Sequence, residues 1–530
     1  MALPLVPLTY LVVRGGGAGA DAWRATLEGG LVGIAARSLL LAGLVAVGTV
    51  LIAVPWAFLV VRSDLPARRV WGLVGALPLV VPSYVGAFAL VGAFGPRGML
   101  QGMLEPLGVA RLPEIYGFGG ALAVLVLFTY PYVLLLVSAA WRRTDTSLER
   151  AARGMGRTPW QAFRVATLPQ LRSSIVAGGL LSALYALGDF GVVSIMRVDT
   201  FTRQIYLRYG ALFDREGAAI LGLVLCALTF GVILLERRVL RGDQRGARER
   251  INARDSLAVV ALGPWKWPAL VFVTTVSAFA LVVPLAVLAW WLGTLGVDGE
   301  WGARLTETLA AMGGSLLASS LGAAVAAALA VPVALLLVRA PGRLPSTVEA
   351  IVYSGYALPG LVAALGLTFF ATRTAFWLYQ TLALLVVAYV IRFLPQAVGA
   401  TRAALERVNP TLESAARGMG MGPWRAFRSV TLRLAGPGIL AGAMLVFLTA
   451  MKELPATLVL RPTGYETLAT QVWSDTNVSD YAEAALPALV LVAISAIPLW
   501  LLVIRPVAGT LDDASARGDV APPTDSGAGD

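Results

Sequence analysis

Residues 148–168, LERAARGMGRTPWQAFRVATL, return at 412–432 as LESAARGMGMGPWRAFRSVTL, with 15 of 21 positions identical at a shift of 264. At the same shift Pro131 maps onto Pro395 and Asp189 onto Glu453. Farther upstream the shift is 277, pairing Ser38 with Ser315, Pro55 with Pro332, Arg62 with Arg339 and Pro82 with Pro359. The 13-residue difference falls in 95–118, which is longer in the first half. Long matches at fixed shifts mark an internal duplication. The 530-residue chain is therefore two tandem copies of one module.

Composition says what surrounds those modules. The chain is 58% hydrophobic and 14% charged, with a mean hydropathy of +0.76, too apolar for a water-exposed surface. Apolar stretches long enough to cross a bilayer, which takes about 20 residues each, are read at 39–61, 70–94, 119–141, 174–196, 218–236, 268–292, 314–338, 348–371, 375–397, 437–460 and 484–505. The expected fold class is an all-α polytopic membrane protein, about twelve transmembrane helices in two tandem six-helix modules. Residues 2–13 match 279–290, Pro7 falling on Pro284, and are too short to cross alone. The first helix is expected to be truncated, or translation to begin upstream.

The formal charge of +11 is almost all arginine, Lys266 and Lys452 being the two lysines. Arginines cluster in 142–172, in 237–254 and at Arg62, Arg68 and Arg69, all on one side if every span crosses once. That side is the cytoplasm by the positive-inside rule, whereas 461–483 carries Glu466, Asp475, Asp480 and Glu483 against Arg461. Such placement points to a lipid bilayer and not to nucleic acid. The expected layout is 1–34 truncated first helix and outer loop, 35–240 first module, 241–267 cytoplasmic linker, 268–310 first helix of the second module and outer loop, 311–505 second module, and 506–530 disordered cytoplasmic tail.

Enzyme chemistry finds little to work with. Histidine is absent and Cys226 is alone, so no zinc or haem ligand set, no disulfide and no Ser/His/Asp arrangement can be assembled. No G-x-x-x-x-G-K-[ST] loop occurs, so the chain binds no ATP of its own and no cofactor is expected. A proton-coupled transporter would need acids on several spans for a relay, and few are present.

The repeated segment predicts a short helix in each copy. Asp145 and Asn409 are suited to N-caps and Pro410 to a first turn. Leu148, Ala152 and Met155, like Leu412, Ala416 and Met419, recur at helical spacing as a narrow apolar stripe. Gly154 and Gly156, with Gly418 and Gly420, end it. Thr158-Pro159-Trp160 and Gly422-Pro423-Trp424 start a second helix leading into the next span. The stripe fits either a plug for a partner's groove or a seat on the chain's own helix ends.

The pattern L-E-x-A-A-R-G-M-G, then P-W-x-A-F-R and T-L, resembles the cytoplasmic EAA motif of binding-protein-dependent ABC importer permeases (ABC transmembrane type-1, MetI-like fold), over about 35–505. The resemblance implies a coupling helix that docks on a separate ABC ATPase subunit dimer, and an extracytoplasmic solute-binding protein as second partner. It carries over onto Leu148, Glu149, Ala151, Ala152 and Gly156, and onto Leu412, Glu413, Ala415, Ala416 and Gly420. The family's glutamate before the two alanines is replaced by Arg150 and by Ser414, with Glu149 and Glu413 one position earlier.

Ionisable groups within a span cost roughly 2.5–3.5 kcal/mol at its centre. Asp189 in LGDFG and Lys452-Glu453 in MKELPATLVLRP are such groups at matched positions. They fit a structural ion pair, Lys452 with Asp189 or Glu453, or carboxylates that attract a cation along a translocation pathway. MKELPATLVLRP, TLAT and YAEAALPAL resemble the ferric-iron branch of the fused permeases, and hard Fe³⁺ prefers oxygen ligands. No resident metal site is assigned, and the fused thiamine permeases are the competing cargo class.

Overall fold

The computed structural model describes residues 5–96, 98–109, 111–241, 259–295, 301–340, 342–478 and 480–501. The linker's arginine run at 245–254 and the tail at 506–530 lie outside the described residues. Among the described residues all regular structure is helical, apart from one isolated parallel bridge between Ser63 and Val260.

The first half comprises α1 (Leu5–Gly16), α2 (Leu31–Arg62), α3 (Ser83–Phe94), α4 (Phe118–Trp141), α5 (Thr146–Gly154), α6 (Leu168–Gly188), α7 (Gly191–Ile195), α8 (Phe201–Gly210) and α9 (Arg215–Arg241). The second comprises α10 (Lys266–Ser277), α11 (Val283–Leu295), α12 (Trp301–Arg339), α13 (Gly360–Thr374), α14 (Leu382–Glu406), α15 (Pro410–Gly418), α16 (Leu432–Met451), α17 (Pro455–Leu460), α18 (Leu468–Asn477) and α19 (Tyr481–Leu499). Among the described residues nine helices are long and apolar enough to cross a membrane; a bent pair and the shorter apolar α1 and α13 bring the total to twelve elements, six per half. At 1.5 Å per residue, the 32 residues of α2 and the 39 of α12 run about 48 and about 58 Å. Both overshoot the hydrocarbon core, and each ends on the repeat-matched arginine, Arg62 or Arg339.

Four spans expected to be continuous are broken. Pro82 and Pro359 push the residue before them out of the helical region: Val81 sits at φ −80, ψ 120 and Leu358 at φ −86, ψ 112. The helical path preceding Pro82 meets the one after it at 96°. The other breaks separate α6 from α7 at Asp189, which is extended at φ −68, ψ 133, and α16 from α17 ahead of Pro455.

The halves exchange their first helices. α1 packs on α9 of its own half and on α13 of the other, with Tyr10 and Phe369 ring centres 4.4 Å apart. In the mirror arrangement α11 packs on α19 and on α3, where Phe88 and Trp291 stack at 5.8 Å. One apolar core runs through both halves, from Leu11, Val85 and Phe88 to Leu361, Val362 and Leu468.

Candidate functional site

Each motif copy forms a corner beneath the end of a long helix. Asp145 and Asn409 cap α5 and α15 as expected, accepting from the Ser147 and Thr411 amides at 2.8 and 3.0 Å. The helices end alike. Arg157 and Met421 amides reach back to the Ala152 and Ala416 carbonyls at 3.2 Å, and Gly156 and Gly420 to Arg153 and Arg417 at 3.0 Å. This is a Schellman closure, which puts the penultimate residue in the left-handed region. Gly156 at φ 83 and Gly420 at φ 88 occupy that place. A π turn, Phe163–Thr167 or Phe427–Thr431, then leads into the next span.

The conserved-in-both-copies glutamates face inward. Glu149 accepts from Arg62 at 2.9 Å and from the Thr167 hydroxyl at 3.0 Å; Glu413 accepts from Arg339 at 2.6 Å and from Thr431 at 2.6 Å. The Arg339 guanidinium and then the Thr431 hydroxyl hold the Glu413 carboxyl below the usual carboxylate range. Ala152 and Ala416 are buried beside them, while Ala151 and Ala415 are exposed. The rest of the stripe points away from the bundle: Leu148 is 45% and Met155 75% exposed, matched by Leu412 at 48% and Met419 at 76%. Trp160 and Trp424 flank it, also exposed. The stripe is thus split, its alanines seated on the chain's own helices and its larger side chains left open.

The broken helices carry the intramembrane charges. Freed backbone groups within a membrane must find partners inside the protein, and the two carboxylates supply them. Asp189 accepts from the Val192 amide at 2.8 Å and Glu453 from the Ala456 amide at 3.2 Å, capping α7 and α17. Their own carbonyls accept from Thr202 and Thr457, both at 2.6 Å. Beyond this the halves differ. Asp189 accepts from Ser83 at 2.9 Å, whereas Glu453 pairs with Arg392. Ser83 corresponds to Gly360, where a Cβ would collide with the Glu453 carboxylate and the Arg392 guanidinium. Lys452 pairs with neither carboxylate; it crosses to the first half and donates to the Leu79 carbonyl at 2.7 Å.

The family described as "Binding-protein-dependent transport system inner membrane component" matches this chain twice, over residues 49–242 and 328–505. Each match holds one motif corner and two broken spans. The chain belongs to this family. Like its members, this permease is a multi-pass inner membrane protein. It is 32% identical to the Fe(3+)-transport system permease protein FbpB 2 of Haemophilus influenzae, over 88% of this chain and 88% of that one. The Molybdenum transport system permease protein ModB of Escherichia coli is 26% identical, covering 37% of this chain and 85% of its own length. Sulfate permease 2, chloroplastic, of Chlamydomonas reinhardtii is 26% identical over 34% of this chain and 49% of its own.

Several residues of the permease escape a reading of the sequence. Arg62 and Arg339 are repeat-matched, as are Thr167 and Thr431, yet only the fold brings them to the glutamates. A polar belt also lines the junction near the breaks. Tyr185 shares a 2.9 Å hydrogen bond with Ser83 and lies 5.9 Å, ring to ring, from Tyr132. From the other half, Thr449 donates to Gln396 at 3.0 Å and Gln396 to the Tyr356 hydroxyl at 3.3 Å. Tyr132 and Tyr185 map onto Gln396 and Thr449 at the shift of 264. That correspondence of polar positions within apolar helices was the available signal.

Proposed function

We propose that this permease is the pore of an ATP-driven importer of ferric iron, fed by an extracytoplasmic binding protein and powered by a separate pair of ATPase subunits. The observation that carries the cargo is the likeness to an Fe(3+)-transport permease along 88% of both chains, which includes both modules. Likeness to the molybdenum permease covers a single module's length. The motif end faces the cytoplasm in this reading. On α5 and α15 the open side chains Leu148, Ala151 and Met155, with Leu412, Ala415 and Met419, seat in the ATPase grooves. Glu149 and Glu413 act from behind, locking each coupling helix to a long span through Arg62 and Arg339. A push on the coupling helix is then a push on α2 or α12, and the halves rock about their junction.

Asp189 and Lys452 lie beside that junction and are assigned to the translocation pathway. Glu453 belongs to its wall, since Arg392 already neutralises it. The tyrosine and amide belt offers oxygen atoms that suit a hard cation. The test is reconstitution of the permease with its ATPase and binding protein in vesicles. ATP-dependent entry of ferric iron, absent when the ATPase is omitted, is expected. ATP-dependent entry of thiamine or molybdate without ferric iron would overturn the cargo, and uptake independent of the ATPase would overturn the class.

A further inference from the structure

At the end of the junction opposite the motif corners lies a small open cleft of about 100 Å³. Tyr116, Ser194 and Arg197 line it from the first half, and Trp473, Asn477 and Tyr481 from the second. No carboxylate is among the residues that line it. Tyr116 and Tyr481 line it from opposite sides of the junction, so the cleft is framed by both halves.

Its one charge is uncompensated. Among the described residues Arg197 pairs with no carboxylate, and its guanidinium rests 5.0 Å from the centre of the Tyr116 ring. The repeat makes the point sharper. Arg197 corresponds to Arg461, which is neutralised by Glu466, and the position matching Glu466 in the first half is Thr202. Ser194 corresponds to Leu458. The first half therefore has a hydroxyl and a free cation where the second has a methyl-rich side chain and an ion pair. The Ser194 hydroxyl is buried and has no hydrogen-bond partner.

The backbone holds the arginine in a costly shape. Arg197 sits at φ 58, in the left-handed region, and is fixed there by its own amide bonding to Ser194 at 3.1 Å and by the Gly117 amide bonding to Met196 at 2.7 Å. Non-glycine residues in that region cost of order 1 kcal/mol and persist where the surroundings demand them. A planar guanidinium flanked by hydroxyl and amide groups, with no carboxylate paired to it among the described residues, selects an anion with several oxygens.

We propose that this cleft is an oxyanion site: it takes either a free inorganic oxyanion or a carboxylate presented by the docked binding protein. The inference rests on the importer reading only in placing the cleft on the outer face. The two sources share one chemistry, and two assays on the full-length permease in lipid nanodiscs separate them. The first titrates inorganic phosphate by calorimetry, with no ATPase or partner present. The second measures affinity for the cognate binding protein. Saturable phosphate binding that weakens about tenfold or more in Arg197→Gln, as loss of a charge-assisted contact implies, and less than about twofold in Arg461→Gln, supports the free anion. Absent phosphate binding with a similar loss of binding-protein affinity, confined to Arg197→Gln, supports the presented carboxylate. Arg197→Lys should recover part of either effect, and Ser194→Ala should weaken whichever is seen. Equal behaviour of the Arg197 and Arg461 variants in both assays overturns the proposal. Failure of the importer reading would show as missing ATP-driven uptake by the unaltered permease, with the phosphate titration untouched.

Discussion

The two motif corners share a skeleton and differ in how it is braced. Both have the capped helix, the glycine closure, and the arginine–glutamate–threonine lock. In the first corner the Arg62 side chain is 6% exposed; in the second the Arg339 side chain is 45% exposed. The end of the inter-module linker is tied to the first corner. Val260 donates to the Arg62 carbonyl at 2.7 Å, the Asp64 amide donates to Val260 at 3.2 Å, and the Asp64 side chain takes the Leu262 amide and Lys266, both at 2.8 Å. Asp64 corresponds to Pro341, which has neither the carboxylate nor the amide proton. Gln170 adds another brace, accepting from the Asp145 amide at 3.0 Å, where the second half has an exposed Leu434. Duplication kept what both corners must do, and fusion stiffened the first.

The largest expected contrast is between Glu149→Ala and Glu413→Ala. Removing Glu149 strands a buried guanidinium, one nitrogen of which already lacks a partner, and should cost about 3 kcal/mol. Arg339 can rehydrate, so losing Glu413 should cost about 1 kcal/mol. Denaturation of the purified variants checks this, and equal losses would break the contrast. Next, Gly156→Val and Gly420→Val should each cost about 1–2 kcal/mol, because a β-branched residue resists the left-handed region, and should depress ATP-driven uptake about equally. An effect confined to one would mean that only one corner is coupled. Gln170→Leu gives the first corner the leucine of the second at this position and should cost about 1 kcal/mol, leaving uptake in place. The smallest effect is on acidification. Glu413 is held below its usual range, so its share of stability is full above the unfolded value near 4.3 and is lost as pH falls through the lower folded value. Glu413→Gln should flatten that acid limb in thermal scans; an unchanged limb would remove Glu413 from it.

Much of this was legible in the chain. The duplication, the six-helix modules and the motif helices with their caps follow from patterns that are local or that repeat at fixed shifts. The breaks were harder to see. LGDFG lies in an apolar window that a hydropathy average carries straight across, and the carboxylate that looked like an unpaid charge in fact caps the following turn. The Lys452–Glu453 pair was reasonable from adjacency and the Lys452–Asp189 pair from matched positions in the repeat, but Lys452 reaches a carbonyl 373 residues away. The arginine locks pair residues 87 and 74 positions apart, beyond any local rule.

The exchanged first helices constrain how such a machine can work. With Leu5–Gly16 laid on the second half and Val283–Leu295 on the first, the permease is clasped like two hands with crossed thumbs. Drawing the halves apart bodily would tear both thumbs from the palms they grip. A tilt that widens one mouth while narrowing the other leaves the grip intact, so the clasp itself disfavours a channel open at both faces.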